Sequence, residues 1–357
     1  MIPIAYKHQQ LNKQVQLISH KDIDAILAAR HGERYTAYRR DWRESMLLER
    51  VPDFPLSLEI ETNNFCNFSC NMCVFAGRGL HPDARRGIGK RHMDMAVFQA
   101  AVEEGARHGL PAMTYGFMSE PLLHPRVADM VAFASERGVL DQRLGTNGQL
   151  LTRETSRALI DAGLSRLEVS LDATNADTYA KIRRGGNFER IVRNVHDFLD
   201  EREKTGGPTP LLRVSFLRLN VNRDELEEFL DYWQRFADFF SIQEPVDYDL
   251  DMADSPLEFD PARDKEDFRC DKQFQRLFIR NDGSVLACGH IHGWDQFRLG
   301  GVGEKPLLEM WRSPFMESMR DMHRRAAYRE NAICRYCVRQ TATAEQDAAE
   351  LGEVGAQ

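Results

Sequence analysis

Two groups of cysteine stand apart in this chain. Cys66, Cys70 and Cys73 fall inside eight residues, CNFSCNMC, while Cys270, Cys288, Cys334 and Cys337 are spread along the C-terminal third and end in the pair CRYC. Thiolates gathered on a short loop suit soft metals, which leaves zinc and iron–sulfur chemistry to choose between. A structural zinc takes four protein ligands. His81 is the only histidine soon after Cys73, but it lies well beyond it and is followed by Pro82, so it makes a poor fourth ligand. Three thiolates would leave one iron of a [4Fe–4S] cubane open to a substrate or cofactor. The four later cysteines could close a tetrahedral zinc site or ligate a second cubane completely.

Loops that carry such ligands need a scaffold, and the hydrophobic pattern supplies one. The segments LSLEIE (56–61), PAMTYGF (111–117), DQRLGTN (141–147), RLEVSLD (166–172), LLRVSFLRL (211–219) and DFFSIQ (238–243) read as strands. Helical patterns separate them over 94–109, 125–137, from Thr152 as N-cap, over 174–183 and 188–204, and over 223–236. Six strand–helix alternations predict a parallel sheet with helices outside, whose active face is built by the loops leaving the strand ends. The cysteine loop, Ser119-Glu120, Thr146-Asn147-Gly148 and Asp172 each follow one of the first four strands. Residues 1–52 show helical spacing, LFIRNDGSVLACG reads as a hairpin turning at Asn281-Asp282-Gly283, and residues 306–325 read as one helix. The last residues, TATAEQDAAELGEVGAQ, are polar and acidic and read as a tail.

Composition limits the function. The chain has 357 residues, 42% hydrophobic and 29% charged, with a net charge of −8, which argues against general nucleic-acid binding. No stretch is long and apolar enough to span a bilayer, and MIPIAYKHQQ lacks the pattern of a secretory signal. A cytoplasmic, reducing setting is expected, with the cysteines as ligands.

With CNFSCNMC in the loop after the first strand, the sequence resembles the radical S-adenosylmethionine (SAM) superfamily, whose signature is C-x3-C-x2-C at that place. YGFMSEPLLHP (115–125), GTNGQLL (145–151) and VSLDATNADTYAKIRRGGNFERIVRNV (169–195) resemble its later strand-end motifs in order. The four later cysteines resemble a twitch or shortened SPASM domain, and the layout is most like aminocyclitol dehydrogenases of the butirosin type. The resemblance implies an α/β fold: a partial (βα)6 TIM-like barrel with a C-terminal auxiliary-cluster domain. The expected division is an N-terminal helical segment (1–52), the barrel (53–243), the twitch/SPASM-like domain (244–340) and a tail (341–357).

The resemblance also implies two [4Fe–4S] clusters and SAM as cofactors. Cys66, Cys70 and Cys73 would hold the SAM-binding cluster, and Cys270, Cys288, Cys334 and Cys337 the auxiliary one. The open iron would chelate SAM, and one electron would cleave it to a 5'-deoxyadenosyl radical that takes hydrogen from substrate. Met72, Phe75, Ser119, Glu120, Thr146, Asn147, Ser170, Asp172 and Arg183 are the implied cofactor-binding positions. Glu120 would hold the methionyl amine, Ser170 the ribose or carboxylate, and Arg183 or Arg184 the carboxylate. Two positions depart from the pattern: Met72 stands where an aromatic residue usually packs on the adenine, and the Gly-Gly-Glu motif reads Met118-Ser119-Glu120. A flavodoxin- or ferredoxin-type electron donor is implied as partner.

Three plus four uses all seven cysteines. Radical SAM epimerases generally keep a spare thiol as hydrogen donor, and none remains here. The expected outcome is therefore two-electron oxidation of a small polar substrate, an alcohol to a ketone, with the auxiliary cluster receiving the second electron. Epimerisation and peptide cross-linking are the alternatives. Residues 245–270 hold nine carboxylates against three basic residues, which would suit a cationic amino sugar or aminocyclitol. Arg218, Gln243 and Glu244, at the ends of the last two barrel strands, are the candidate substrate residues. His290 and His292, beside Cys288, are expected to support that ligand or pack around it.

Overall fold

The structure, a computed structural model, describes residues 5–6, 15–19, 21–73, 88–116, 118–243, 267–290 and 293–338. The chain opens with β1 (Ala5–Tyr6), β2 (Val15–Ser19), α1 (Ile23–His31) and α2 (Glu33–Met46). Then come β3 (Ser57–Ile60), α3 (Met95–Arg107), β4 (Ala112–Tyr115), α4 (Val127–Glu136), β5 (Asp141–Thr146), α5 (Arg153–Asp161) and β6 (Arg166–Ser170). The alternation finishes with α6 (Ala176–Ile182), α7 (Phe188–Lys204), β7 (Leu211–Leu217), α8 (Leu226–Trp233) and β8 (Phe239–Gln243). The C-terminal part adds β9 (Arg276–Ile279), β10 (Ser284–Leu286), β11 (Arg298–Gly301), α9 (Leu307–Trp311) and α10 (Pro314–Arg324). No helix among the described residues is long and apolar enough to cross a membrane.

Strands β3 to β8 lie side by side in chain order, all parallel, as the alternation predicts for a (βα)6 partial barrel. Alternation along each strand sorts the side chains. Leu58, Ile60, Met113, Tyr115, Leu144, Leu167, Val169, Val214 and Ile242 join the main core with Phe98, Val131, Leu159, Val195 and Phe198 of the helices. The other face carries charge in pairs: Glu59 with Arg276 at 2.9 Å, Asp141 with Arg166 at 2.8 Å, and Glu168 with Arg213. The helices follow their local signals. Thr152 Oγ1 accepts the Thr155 N–H at the start of α5, and Asn187 Oδ1 accepts the Arg190 N–H at the start of α7. Helix α7 then buries Ile191, Val195 and Phe198 along one stripe.

Two expectations need correction. The first 52 residues are not wholly helical: β2 pairs antiparallel with β8, from Val15 opposite Gln243 to Ser19 opposite Phe239. An uncovered β8 edge would leave a row of main-chain N–H and C=O groups unpaired, and VQLIS supplies the strand that satisfies them. The two helices that follow, capped at Asp22 and separated at Gly32 (φ 66°), close the opposite end of the barrel from the strand-end loops. Leu27, Tyr35 and Tyr38 pack there on Leu56, Ala112, Leu140, Leu211 and Phe239, at or just before the starts of the strands. The expected helix over 306–325 is broken in two, because Pro314 cannot continue α9 while Ser313 caps a new start by accepting the Met316 N–H at 3.3 Å.

The predicted hairpin forms, with β10 antiparallel to β9 across the turn at Gly283 (φ 85°), but β9 also pairs in parallel with β3, Ser57 opposite Arg276 through Ile60 opposite Ile279. A single eleven-stranded sheet therefore runs through the barrel and the C-terminal region.

Candidate functional site

The loop after β3 is held on both sides. Toward its start, Met93 N–H donates to Thr62 O at 2.8 Å, Asn64 Oδ1 accepts the Arg91 N–H at 2.7 Å, and Glu120 N–H donates to Phe65 O at 3.2 Å. Toward its end, Ser69 N–H donates to Arg184 O at 2.9 Å and Asn71 N–H to Ile182 O at 3.1 Å. Between these ties Phe68 is buried against Gly186, where a Cβ would stand 2.7 Å from the Phe68 ring. The glycine pair after α6 thus lets the cysteine loop seat. Cys70 is buried and Cys66 and Cys73 are half-buried. Burial, with smaller contributions from Glu120, Cys70 and Cys73, pushes the Cys66 thiol up to about 11, so the three sulfurs lie within electrostatic reach of one another. Burial also raises Cys70, against the pull of the Arg183 guanidinium.

Glu120 binds two strand-end loops into one wall. Its Oε1 accepts Thr146 Oγ1–H at 2.7 Å and the Leu122 N–H at 3.0 Å, while Oε2 accepts the Asn147 N–H at 2.7 Å. Burial pushes its carboxyl up to about 7 despite these donors. Asn147 continues the chain of contacts, donating from Nδ2 to Asn67 Oδ1 at 2.8 Å and to Cys66 Sγ at 3.8 Å. Gly148 (φ 77°) has Ile191 and Val169 side chains where a Cβ would sit, at 2.9 and 3.1 Å. The neighbouring Ser119 hydroxyl is buried without a hydrogen-bond partner among the described residues, a cost that a bound polar group would remove.

Asp172 and Arg183 also meet. Asp172 adopts a left-handed backbone (φ 62°), with Oδ1 accepting the Leu217 N–H at 2.7 Å and Oδ2 accepting Arg183 Nε at 2.6 Å and Nη2 at 2.5 Å. Burial alone would lower the Arg183 pKa, but Asp172 and Cys70 more than offset it and the guanidinium stays charged. Arg183 is therefore a half-buried cation beside Cys70, paired with the buried Asp172, whereas Arg184 is exposed. Ser170 Oγ lies 3.3 Å from Ser215 Oγ, and Arg218 N–H donates to Gln243 O at 2.8 Å, which puts the last two neighbours at the ends of β7 and β8. Phe75, Glu244, His81, His292, the tail from 341 onward and the acidic stretch through 266 lie outside the described residues.

The second cysteine group is assembled from three places. Cys270 precedes β9, Cys288 follows β10, and Cys334 and Cys337 share a helical stretch over 332–338 whose start is capped by Asn331. Burial pushes Cys270 up to about 12 and Cys337 to about 11, and raises Cys288. Cys334 rises by burial and then through Cys288, Cys270 and Cys337, so all four converge. His290 N–H donates to Cys288 Sγ at 3.4 Å, and its ring meets Tyr336 edge-on. Two neighbours escaped sequence reasoning: Lys272, whose ammonium lowers three of these thiols, and His323, which touches two of the four residues. Lys272 sits two positions from Cys270 and could have been found; His323 is one more residue on a helix stripe.

None of the seven cysteines is disulfide-bonded. The donor sets fit iron–sulfur clusters, with soft thiolates in a group of three and a group of four. Among the described residues no three His, Cys, Asp or Glu side chains gather as they would round a single metal ion; the thiolates of a cubane each cap a different iron.

Residues 60–232 match the Radical SAM superfamily, and residues 270–338 match the SPASM iron–sulfur cluster-binding domain, together about two thirds of the chain. The chain belongs to the radical SAM superfamily and carries a C-terminal SPASM domain. Among named relatives it is similar to the "probable GTP 3',8-cyclase" of Methanocaldococcus jannaschii, 26% identical over 233 residues that cover 65% of this chain and 73% of that protein. Among solved structures it is similar to Streptococcus suis SuiB bound to S-adenosylmethionine (TM-score 0.55, 17% identity, 81% of this chain and 73% of that one). BtrN in complex with AdoMet and 2-DOIA also matches, at TM-score 0.49 and 16% identity over 80% of this chain and 92% of that one. At that identity SuiB speaks for the fold alone.

Proposed function

We propose that this radical SAM enzyme is a dehydrogenase that oxidises an alcohol to a ketone on a small carbohydrate or aminocyclitol, as a step in natural-product biosynthesis. The observation that carries the reading is the division of all seven cysteines into a group of three and a converging group of four, with no thiol left to return hydrogen to a substrate radical. Two [4Fe–4S] clusters and SAM would supply, when bound, reductive cleavage of SAM and a sink for one further electron. Cys66, Cys70 and Cys73 would hold the first cluster, and Cys270, Cys288, Cys334 and Cys337 the second.

The other residues bind and orient. Glu120, already braced by Thr146 and Asn147, would hold the methionyl amine, and the unpartnered Ser119 hydroxyl would gain its missing partner beside it. The Arg183–Asp172 pair presents a charge of fixed position near Cys70 for the SAM carboxylate, with Ser170 nearby on β6. Met72 and Phe75 would lie against the adenine. Arg218, Gln243 and Glu244 would meet substrate at the ends of β7 and β8. The oxidation would balance as loss of one hydrogen atom, one electron and the hydroxyl proton from the substrate, with SAM cleavage supplying the hydrogen acceptor, the second cluster the electron sink and solvent the proton acceptor. The barrel would span 53–243 and the auxiliary domain 244–340, in a cytoplasmic protein served by a flavodoxin- or ferredoxin-type donor.

A second reading, cyclisation of GTP, is favoured by the name of the archaeal relative. One experiment separates them. Anaerobically reconstituted chain, carrying about eight irons, is incubated with SAM, reductant and either a panel of aminocyclitols or GTP. Formation of 5'-deoxyadenosine with a product lighter by a pair of hydrogens supports the dehydrogenase. Turnover of GTP alone, or a product of unchanged mass carrying solvent deuterium, defeats it.

A further inference from the structure

His323 lies on α10 with 1% exposure, between two of the four cysteines of the second group. Its Nδ1 accepts the main-chain N–H of Cys270 at 3.3 Å, and its Nε2 stands 3.8 Å from Cys334 Sγ. A ring nitrogen that accepts an N–H carries no proton of its own, so the imidazole proton resides on Nε2. That N–H is aimed at the Cys334 sulfur. The ring is held in this pose by its helix. One turn back, fully buried Arg320 donates from Nε to Gln273 O at 2.9 Å and from Nη2 to Trp311 O at 2.9 Å, which bolts α10 to the segment that follows Cys270.

We propose that His323 is a positioning and tuning residue of the second iron–sulfur centre: it aligns Cys270 with Cys334 and, by donating Nε2–H to Cys334 Sγ, raises that centre's reduction potential. The proposal rests on the reading that Cys270, Cys288, Cys334 and Cys337 ligate an iron–sulfur cluster. A hydrogen bond to a ligating sulfur draws charge from it and favours the reduced state, so the centre becomes a readier acceptor for the electron leaving a substrate radical. The contacts to the other described sulfurs differ in kind: Cys288 Sγ receives the main-chain N–H of His290, and Cys66 Sγ receives the main-chain N–H of Phe68 and faces the side-chain amide of Asn147. Here a buried ring is committed to the task, with its tautomer set by a second ligand residue.

The test uses the full chain, reconstituted anaerobically, with Cys66→Ala, Cys70→Ala and Cys73→Ala removing the first cluster so that only the second reports. Its potential is read by redox titration followed by electron paramagnetic resonance. His323→Asn keeps an acceptor near Cys270 N–H but cannot reach Cys334, and its potential is expected to fall. His323→Gln places an amide N–H where Nε2 was and is expected to restore the potential toward that of the parent. Equal potentials in the parent and the Asn variant, with full iron in both, overturn the proposal. A measurement on the otherwise unmutated chain covers variants that fail to assemble: with ring-15N-histidine, hyperfine spectra of the reduced second cluster should show a coupled ring nitrogen, and its absence overturns the proposal. A parent chain holding zinc and no sulfide would instead defeat the cluster reading beneath it.

Discussion

The two cysteine groups solve the same chemical problem by opposite means. Cys66, Cys70 and Cys73 sit on one loop, so the backbone brings their sulfurs together, and the surrounding structure has only to hold that loop at the strand ends. The second group comes from before β9, after β10 and from a helical stretch far along the chain, and converges only once the core around α10 has packed. Their surroundings differ accordingly. The first group is flanked by the ionisable residues Glu120, Asp172 and Arg183, suited to a charged cofactor that comes and goes. The second has a buried histidine and a lysine beside it. A local motif brings its own ligands together, whereas a site assembled from distant segments depends on the packing that gathers them.

The sharpest break of this contrast is to remove one ligand from each group. Cys70→Ala should abolish 5'-deoxyadenosine formation while iron remains in the second group. Cys334→Ala should keep SAM cleavage but lose the oxidised product, read as iron per chain and products by mass spectrometry. If both variants lose both activities equally, the division of labour between the groups is wrong. Next in size is Asp172→Asn, which leaves the largely covered Arg183 guanidinium without its carboxylate. Breaking such a pair costs about 3–5 kcal/mol, and the loss is measured by urea unfolding of the cluster-free chain.

Glu120 distinguishes the groups by pH. Its carboxyl, normally near 4.5, is raised to about 7 by burial, so the neutral acid is the form the fold favours. The stability this contributes is complete below the ordinary carboxylate value and is lost as pH rises through about 7, worth about 3 kcal/mol by linkage. Thermal unfolding of the cluster-free chain from acid to neutral pH should show that decline, and Glu120→Gln should flatten it. SAM affinity should run the other way, strengthening across the same window as the carboxylate becomes available to the methionyl amine. The smallest effect is expected at Met72. Restoring an aromatic ring with Met72→Phe should tighten SAM binding by about 1 kcal/mol, checked by equilibrium dialysis, with no change at the second group.

Much of this was legible in the chain. Each of β3 to β8 is a short apolar run between turn signals, and the loop residues that matter follow those runs directly, so Cys66, Glu120, Asn147 and Asp172 could be gathered on one face from topology alone. Arg183 was legible as a candidate, but its partner was not: a salt bridge between residues 172 and 183 depends on how α6 returns toward its own strand. The N-terminal strand β2 was hidden because its partner, β8, lies far along the chain, and five residues of alternation say little without that edge. The pairing of β9 with β3 was hidden for the same reason.

By itself, then, the sequence determined the ligand inventory, the spacing of the first group and the order of the parallel strands, because each depends on residues close along the chain. Tertiary structure decided which distant groups meet: β9 against β3, Asp172 with Arg183, and His323 between Cys270 and Cys334. Contacts of that kind are set by the packing of whole elements against one another, and the short-range pattern of residue types does not carry them.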